Sequence, residues 1–458
     1  MGSVKKYDVV VIGNGSGSEI VNVALNHHAT VCLIDQKPIG GTCQNFGCIP
    51  SKMLIFPADQ IVSILESKKL GIKANVSEID FQSIMNRMRK ERRESQKYQK
   101  NGINQVSNLD YYQGDCFFID KNTIQVNNIN IQGEKIFIGT GARPLIPPIK
   151  GLDEVNYLTN ESLLELTDCP DSLIIIGGGY IAVEYAHFFS AMGSTITILE
   201  RRPRLVSYEE PEISEQLKKK LQKRMKIFTG IEVVHVQGKE KSLEIIGKSD
   251  DGSEKRFTAE KLLVATGRKS NADLLHIENT DVELDENGFI KADDFLQTSQ
   301  SNIWAFGDAI GKHMFKHVAN EEASIAAHNG LHDEKIKMQY HAVPHAVFSY
   351  PQIASVGLTQ KQAEKNGYDL LVGTAQYDSV AKGQAMMEST GFAKAIVKKE
   401  DYQILGFHII GPYAPMIIQE IITIMSVKGK VGHIGMAMHI HPALPELIQR
   451  ALANIEEV

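Results

Sequence analysis

The sequence contains little cysteine and little tryptophan, with five cysteines and one tryptophan among 458 residues. A secreted protein held together by disulfides is far richer in cysteine, and residues 1–7 lack an apolar signal region, so we predict a cytoplasmic protein. No run approaches the roughly 20 apolar residues of a membrane span. The net charge of −6 leaves no basic excess. We therefore expect neither a membrane nor a nucleic acid as a partner.

Two segments of the chain share one plan. Residues 7–17 and residues 172–182 each begin with an apolar run typical of a buried parallel strand, pass through glycines and enter a helical pattern. In each copy a second apolar strand follows and ends at an acidic residue, Asp35 in the first and Glu200 in the second. Glycines let the backbone approach a pyrophosphate, and the carboxylate holds ribose hydroxyls. The sequence therefore predicts two dinucleotide sites.

The two copies differ at the third glycine position of the motif. The first copy holds Ser18 there, after Gly13 and Gly15, which predicts slightly wider spacing between helix and strand. The second copy holds Ala182, a substitution often met with NADPH, yet Glu200 would repel a 2′-phosphate. Three arginines that follow Glu200 could bind such a phosphate: Arg201, Arg202 and Arg204. We predict FAD at the first copy and NAD(H) at the second, with NADP(H) as the alternative.

Cys43 and Cys48 lie directly after the first nucleotide-binding unit. In an ideal helix, residues five apart are separated by roughly 7.5 Å along the axis, more than the Cα separation of up to ~6.8 Å that a disulfide needs. We expect the segment to bend at Gly47 and to carry a redox-active disulfide. The alternatives are two unrelated thiols or half of a metal site, although zinc pairs are usually closer, and we predict no metal. The remaining cysteines receive no role: Cys32, Cys116 and Cys169.

Further motifs follow in order at residues 265–268, 303–309, 316–323, 347–357 and 441–446. Together they resemble the dimeric flavoprotein disulfide reductases, the group that contains dihydrolipoamide dehydrogenase, glutathione reductase and mycothione reductase. The resemblance covers essentially the whole chain. It implies an α/β fold with two Rossmann-like domains, for FAD and NAD(P), and a carboxy-terminal α+β dimerisation domain. The implied domains are residues 1–148 and 273–340 for FAD, 149–272 for NAD(P) and 341–458 for the interface.

The resemblance also implies roles for particular side chains. Cys48 faces the flavin, and Cys43 exchanges with the sulfur of the substrate. His441 acts as acid and base, Glu446 fixes its tautomer, and the histidine of one subunit serves the other subunit of a homodimer. His439, two residues earlier, does not match the spacing and receives no role.

Other residues match the cofactor contacts of the family. Lys52 and Glu184 pair beside the reactive edge of the flavin, and Tyr180 covers the nicotinamide pocket. The remaining FAD contacts implied by the resemblance are Gly13, Gly15, Gly17, Ser18, Asp35, Gly41, Thr42, Thr140, Gly141, Gly307, Asp308, His317, Val318 and Ala319. Those implied for the nicotinamide dinucleotide, besides Tyr180 and Glu184, are Gly177, Gly179, Ile181, Glu200, Arg201 and Gly267.

The substrate is less firmly indicated. Glu200 and Val206 stand where related reductases carry basic residues, which favours dihydrolipoamide dehydrogenase, with any lipoylated protein as a separate partner. Residues 316–322, 267–275 and 411–429 resemble mycothione reductases instead, so an NAD(P)H-dependent reductase of small disulfides is the alternative. A metal-ion reductase is a distant third, because a cysteine pair is expected after the His441 motif and residues 442–458 contain none.

Overall fold

The computed structural model describes residues 4–239 and 242–458. The first strands in chain order are β1 Lys5–Ile12, β2 Val31–Asp35, β3 Leu109–Gln113, β4 Cys116–Phe118, β5 Thr123–Val126, β6 Ile129–Ile138, β7 Ala142–Pro144, β8 Ser172–Ile176, β9 Thr195–Glu200, β10 Lys226–Thr229 and β11 Ile231–Lys239. The later strands are β12 Ser242–Ser249, β13 Glu254–Ala259, β14 Lys261–Val264, β15 Arg268–Ser270, β16 Ile303–Ala305, β17 Pro344–Val347, β18 Ile353–Gly357, β19 Leu370–Gln376, β20 Phe392–Lys398, β21 Ile404–Ile410 and β22 Glu456–Glu457.

Helices connect these strands. The α-helices are α1 Gly17–Asn26, α2 Gly41–Asn45, α3 Cys48–Glu66, α4 Phe81–Ile103, α5 Tyr180–Ala191, α6 Pro211–Leu221, α7 Lys316–Leu331, α8 Gln360–Lys365, α9 Ala381–Ala385, α10 Ala414–Ile417, α11 Gln419–Ser426, α12 Val431–Met436 and α13 Glu446–Ala453. Short 3₁₀ helices span Ser67–Leu70, Leu152–Glu154, Ser162–Glu165, Ala272–Leu275, Ile277–Asn279, Gly307–Ala309 and Tyr377–Ser379.

The chain folds into two compact units, each made of three segments. The first contains Met1–Ser51, Met85–Leu145 and Gly267–Gln339, and the second contains Lys52–Ile84, Ile146–Thr266 and Tyr340–Val458. The division into four domain segments drawn from the sequence stays a prediction.

The first unit is built on a mixed sheet in the order β3-β2-β1-β6-β5-β4, with β16 beside β6. Strands β3, β2, β1, β6 and β16 run parallel to one another, whereas β5 pairs antiparallel with both β6 and β4. The apolar runs of β1 and β2 are buried, as expected for strands covered on both faces. This arrangement places the residues after β1 and the end of β2 at one edge of the sheet.

The second unit contains a parallel sheet in the order β10-β9-β8-β14, a three-stranded antiparallel sheet β11-β12-β13, and a six-stranded antiparallel sheet β17-β18-β21-β20-β19-β22. The pairing of β8 with β9 and β14 repeats the pairing of β1 with β2 and β6. Helices α10, α11 and α13 pack against the six-stranded sheet over a shared apolar core. The predicted fold class, two Rossmann-like sheets and an α+β carboxy-terminal part, is therefore confirmed.

Charged side chains are buried where α6 meets the six-stranded sheet. The Nζ atom of Lys394 lies 2.7 Å from Oε2 of Glu210, and both side chains are at most 4% exposed. Beside them Glu209 accepts hydrogen bonds from Ser355 at 2.6 Å and from His345 at 2.7 Å. Burial alone would raise the pKa of Glu209, but these bonds outweigh it and lower the pKa. Each charge in the cluster thus depends on a partner.

Replacing Lys394 by methionine should destabilise the fold strongly. The change leaves Glu210 buried without its ammonium, and the loss of one member of a buried ion pair costs about 3–5 kcal/mol. Urea unfolding followed by far-ultraviolet circular dichroism, which reports on both units, measures the effect. The control is Lys399→Met, because Lys399 forms an exposed pair with Glu457 and should cost under about 1 kcal/mol. Equal losses in the two variants would contradict the prediction.

One helical segment, Gly41–Leu70, has the length and apolar composition of a helix that could cross a membrane, although no such segment is predicted from the sequence. The segment joins α2, α3 and a 3₁₀ turn, is broken at Phe46 and contains Pro57 within α3. Such a helix does not by itself indicate a membrane span, because a core helix of a protein in water can have the same length and composition.

Candidate active site

The two motif cysteines lie on either side of a break between helices. Cys43 is in α2, which ends at Asn45, and Cys48 begins α3. Both are thiols in this structure, and a hydrogen bond joins them. That bond and burial raise the pKa of Cys43, while Lys316 and the Cys48 backbone N–H oppose the rise. The predicted bend is present, and it brings the two sulfurs together.

Gly47 contributes to this bend through space rather than through an unusual backbone angle. A Cβ atom at position 47 would lie 3.1 Å from the Thr42 carbonyl oxygen and 3.4 Å from the Cα of Cys43. A side chain would therefore push the second helix away from the first. The sequence correctly singled out Gly47, but for conformational freedom instead of close packing.

Polar side chains of α4 contact Gln44, the residue that follows Cys43. Gln44 donates to the Ser95 hydroxyl and accepts from Gln99, and both partners lie on α4. Asn45 accepts from Gln96 of the same helix at 2.7 Å. No local sequence pattern indicates these contacts, because they join residues about fifty positions apart.

The first glycine motif has the geometry of a pyrophosphate-binding turn. Gly13 has φ +105°, and a Cβ there would lie 2.2 Å from the Gly139 carbonyl oxygen. The wider spacing expected at Ser18 stays a prediction. A close approach of the helix to β1 occurs at Gly17, since a Cβ there would lie 2.7 Å from the Val11 side chain. The hydroxyl of Ser18 instead donates to the Gly15 carbonyl at 3.2 Å.

Asp35 lies at the end of β2 beside this turn. Its carboxylate accepts from the backbone N–H of Asn14 at 2.7 Å and of Lys37 at 3.0 Å, and burial raises its pKa. Two nearby hydroxyls, of Tyr111 and Thr140, are buried and have no hydrogen-bond partner within residues 4–239 and 242–458. Burial, followed by the charge of Asp35, raises the pKa of Tyr111 to about 12. Polar atoms left open in this way fit a nucleotide cofactor.

The predicted second FAD contact is formed by the turn after β16. The backbone N–H of Gly307 donates to the buried carboxylate of Glu322 at 2.6 Å. Burial raises the pKa of Asp308, which lies 3.4 Å from the Nε atom of Arg268. A Cβ at Gly307 would lie 3.2 Å from the Cβ of Ala319, so the turn packs on the start of α7. The start of α7 also carries the predicted contacts His317, exposed, and Val318, buried.

The second glycine motif repeats this design in the other unit. Gly177 has φ +113°, and its Cβ would lie 2.3 Å from the Ala265 carbonyl oxygen. Glu200, at the end of β9, approaches the motif, because a Cβ at Gly178 would lie 2.7 Å from its carboxylate. The N–H of Arg202 donates to the other carboxylate oxygen at 2.6 Å. The carboxylate of Glu200 thus lies beside the second glycine turn.

Two of the three arginines after Glu200 have other partners, whereas the Nε atom of Arg204 is buried and has no hydrogen-bond partner in the described part of the chain. The guanidinium of Arg201 is 74% exposed and lies 3.9 Å from Glu232. Arg202 donates to the Ser207 hydroxyl at 2.8 Å. Val206 is buried, and its N–H donates to the Gly178 carbonyl at 2.8 Å.

Further predicted contacts lie in two groups. Gly15, Gly41 and Thr42 lie at the first glycine turn and α2, and Gly141 and Gly267 have positive φ near the antiparallel pair β7 and β15. Gly179, Tyr180 and Ile181 lead from the second glycine turn into α5.

Lys52 and Glu184 form the predicted pair. The Nζ of Lys52 lies 2.8 Å from Oε2 of Glu184, whose side chain is 4% exposed. The other carboxylate oxygen accepts from the Phe348 N–H at 2.9 Å, and the ammonium lies 4.4 Å from the centre of the Phe348 ring. Both charges are therefore held in a fixed geometry.

His441 and Glu446 also meet as predicted. Nδ1 of His441 lies 2.9 Å from Oε1 of Glu446, and the other oxygen accepts from the Ala443 N–H at 2.9 Å. The bond to His441 and then the bond to Ala443 lower the pKa of Glu446. A carboxylate can only accept, so Nδ1 carries the proton and Nε2 of the neutral ring is the basic nitrogen. His439 pairs with Glu420 instead, at 2.8 Å.

Exposed apolar side chains flank this histidine. Met436, Met438 and Ile440 are 79%, 102% and 82% exposed, and His441 itself is 72% exposed. A run of exposed apolar residues of this kind marks a contact surface.

Comparison with known proteins agrees with this geometry. The model of the pyridine nucleotide-disulphide oxidoreductases matches residues 7–323, and the model of their dimerisation domain matches residues 343–452. The chain belongs to the pyridine nucleotide-disulphide oxidoreductase family. It is therefore an FAD-dependent oxidoreductase that uses NAD(P)H, and its dimerisation domain supports a homodimer.

Individual relatives in the family carry different names. Mycothione reductase of Mycobacterium tuberculosis is 32% identical over 99% of this chain and 100% of that protein. Mercuric reductase of Staphylococcus aureus is 34% identical over 90% and 76%, and dihydrolipoyl dehydrogenase of Bacillus subtilis is 30% identical over 97% of each. The structure of the HOCl-induced flavoprotein disulfide reductase RclA from Escherichia coli is 28% identical, covers 98% and 99%, and has a TM-score of 0.87.

Proposed function

We propose that this oxidoreductase links a dithiol substrate to NAD⁺ in the manner of a dihydrolipoamide dehydrogenase, converting dihydrolipoamide and NAD⁺ to lipoamide, NADH and a proton. The observation that carries the proposal is the contact between the thiols of Cys43 and Cys48 across the break before α3. Bound FAD would relay two electrons between these sulfurs and the nicotinamide.

The chemistry at the sulfurs balances as thiol–disulfide exchange. In the oxidised enzyme Cys43 and Cys48 are joined by a disulfide. A substrate thiolate attacks the Cys43 sulfur, and Cys48 leaves as a thiolate. The second substrate thiol loses its proton to a base and attacks the first substrate sulfur, which closes the substrate disulfide and releases Cys43. Two electrons then rest on the enzyme sulfurs.

His441 is proposed as that base, supplied across the dimer to the Cys43 of the other subunit. Glu446 fixes the tautomer that leaves Nε2 basic. The support is the match to the dimerisation domain together with the exposure of the ring. We assign Lys52 and Glu184 to the reactive edge of the flavin and Tyr180 to the nicotinamide pocket, as the family pattern implies.

The proposed preference for NAD(H) over NADP(H) rests on Glu200. The carboxylate would accept from both ribose hydroxyls and repel a 2′-phosphate, and the guanidinium of Arg201 lies toward Glu232. The buried Val206 adds no positive charge. We also propose a cytoplasmic location, because a cysteine-poor redox enzyme suits a reducing compartment.

Replacing Glu200 by alanine should reduce this preference. Loss of charge-assisted hydrogen bonds worth about 1.5–3 kcal/mol corresponds to a fall in kcat/KM for NADH of roughly 10- to 150-fold, while NADPH gains from the lost repulsion. Steady-state rates with each dinucleotide measure the change. The exposed Glu215 on α6 provides the control, Glu215→Ala, which should leave the ratio unaltered. A wild-type enzyme that prefers NADPH would show that the arginines dominate.

A second candidate is an NAD(P)H-dependent reductase of a small polar disulfide. The polar side chains of Gln44, Ser95 and Gln99 favour this second candidate, because amides beside the exchange thiol suit a hydrogen-bonding substrate better than an aliphatic chain. The 32% identity with mycothione reductase gives it further support.

Steady-state comparison of dihydrolipoamide, glutathione disulfide and a thiol-sugar disulfide, each with both dinucleotides, tests the two candidates. The first predicts the highest kcat/KM for dihydrolipoamide with NAD⁺, and the second predicts it for a polar disulfide. A mercuric salt forms a third arm, because of the named mercuric reductase relatives. Turnover of the metal alone would reject both candidates.

A further inference from the structure

A lysine at the start of α7 contacts the first glycine turn. The Nζ atom of Lys316 lies 2.6 Å from Oδ1 of Asn320, 3.0 Å from the Ser16 hydroxyl and 3.3 Å from the Gly15 carbonyl oxygen. The Ser16 hydroxyl also donates to Asn320 at 2.9 Å, and Ser16 is 7% exposed. These bonds fix the position of the ammonium, and two of them join residues about 300 positions apart in the chain.

The position is electrostatically unfavourable for a cation. Lys316 is the first residue of the 16-residue helix α7, and the amino terminus of a helix carries partial positive charge. The side chain is half-buried, and burial lowers its pKa. Its three hydrogen-bond acceptors are all neutral oxygens. A charge placed in this way gains most from an anion that arises nearby.

The dithiol is one source of such an anion. A Cβ at Gly41 would lie 2.4 Å from the Cα of Gly15, so the turn that holds Lys316 packs directly on the start of α2, two residues before Cys43. Three ionisable groups interact with the ammonium and favour its charged form: Cys43 most strongly, then Glu19 of α1 and Cys48 of α3. In return Lys316 favours the ionised form of Cys43.

We propose that Lys316 is a positioning residue that holds a positive charge beside the Cys43 sulfur and stabilises its thiolate once the pair is reduced. The inference rests on the proposed redox role of Cys43 and Cys48. The proposed role explains why a lysine occupies the amino terminus of α7. It also explains why the neutral side chains of Ser16 and Asn320 bind the ammonium and leave its charge uncompensated. The stabilised thiolate is the form that attacks a substrate sulfur.

Alkylation of the chemically reduced holoenzyme tests the proposal. The phosphine-reduced protein is treated with iodoacetamide at a series of pH values, and tandem mass spectrometry follows the modification of Cys43. In Lys316→Met and Lys316→Gln the alkylation midpoint should move to higher pH, and the rate at pH 7 should fall about tenfold, as for a thiol that loses a neighbouring cation. Lys316→Arg keeps the charge and should stay near wild type.

The exposed Lys312, four residues earlier, supplies the matched control, and Lys312→Met should leave the midpoint in place. An unchanged midpoint in both uncharged variants would overturn the proposal. The Lys316→Gln variant retains hydrogen bonding and serves as the test if Lys316→Met folds poorly. The visible absorbance of each variant reports its bound FAD. A variant that loses FAD but keeps the wild-type alkylation profile would also overturn the proposal and would make Lys316 a cofactor contact. Failure of NADH to reduce wild-type Cys43 and Cys48 would reject the proposed function separately.

Discussion

Changing either cysteine of the pair to serine should abolish dithiol exchange while leaving the protein able to accept electrons from NADH. Serine cannot form the disulfide proposed for Cys43 and Cys48, and loss of a covalent nucleophile lowers turnover by at least about 10³-fold. The two variants should differ in spectrum. In the NADH-reduced wild type, a thiolate beside the flavin should give a long-wavelength absorption band, and Cys48→Ser should remove it.

Stopped-flow absorbance during reduction by NADH measures both effects. Cys169→Ser is the matched control, because Cys169 is half-buried near the Ser194 hydroxyl and has no proposed redox role. A band that persists in Cys48→Ser would show that another sulfur faces the flavin. Ordinary dithiol turnover in either variant of the pair would remove the basis of the proposed function.

Replacing His441 by alanine should slow dithiol exchange by about 10²- to 10⁴-fold, the usual contribution of a general acid–base catalyst. Reduction of the flavin by NADH should continue at its normal rate, because that half of the reaction needs no proton transfer at the sulfurs. Single-turnover measurements of the two half-reactions separate the effects. The control His439→Gln should keep nearly full activity, since His439 pairs with Glu420 and not with Glu446.

The same variant tests whether the histidine serves the other subunit. Homodimers of Cys43→Ser and of His441→Ala should each have little activity, but a mixed dimer contains one complete site if the two residues act across the interface. Subunit exchange should then restore a substantial fraction of one site's activity. If both residues act within one chain, no mixed dimer can contain a complete site, and exchange restores nothing.

Much of the site could be predicted because it depends on local patterns. Gly13 and Gly177 each follow a buried strand, and Asp35 and Glu200 each end the next one, so sequence periodicity fixes where they lie in a parallel sheet. The bond between His441 and Glu446 was predicted from the family resemblance of the motif at residues 441–446.

Other contacts could not be predicted from local patterns. The hydroxyl of Tyr111 beside Asp35, the amides of α4 around Gln44 and the bond from Lys316 to Ser16 join residues that are distant in sequence. Their meeting depends on how helices pack, which the composition of each helix does not determine. The close packing at Gly17 was missed because the motif directs attention to the third glycine position, where Ser18 stands.

The exposed methionines and isoleucine before His441 have a consequence for how the enzyme matures. A newly made subunit would be catalytically silent and prone to stick to other apolar surfaces, and both defects would disappear in a single event when two copies meet. Under the proposed arrangement, dimer assembly would also switch on dithiol exchange, because a subunit without its partner lacks the acid–base histidine at Cys43 and would reduce disulfides slowly.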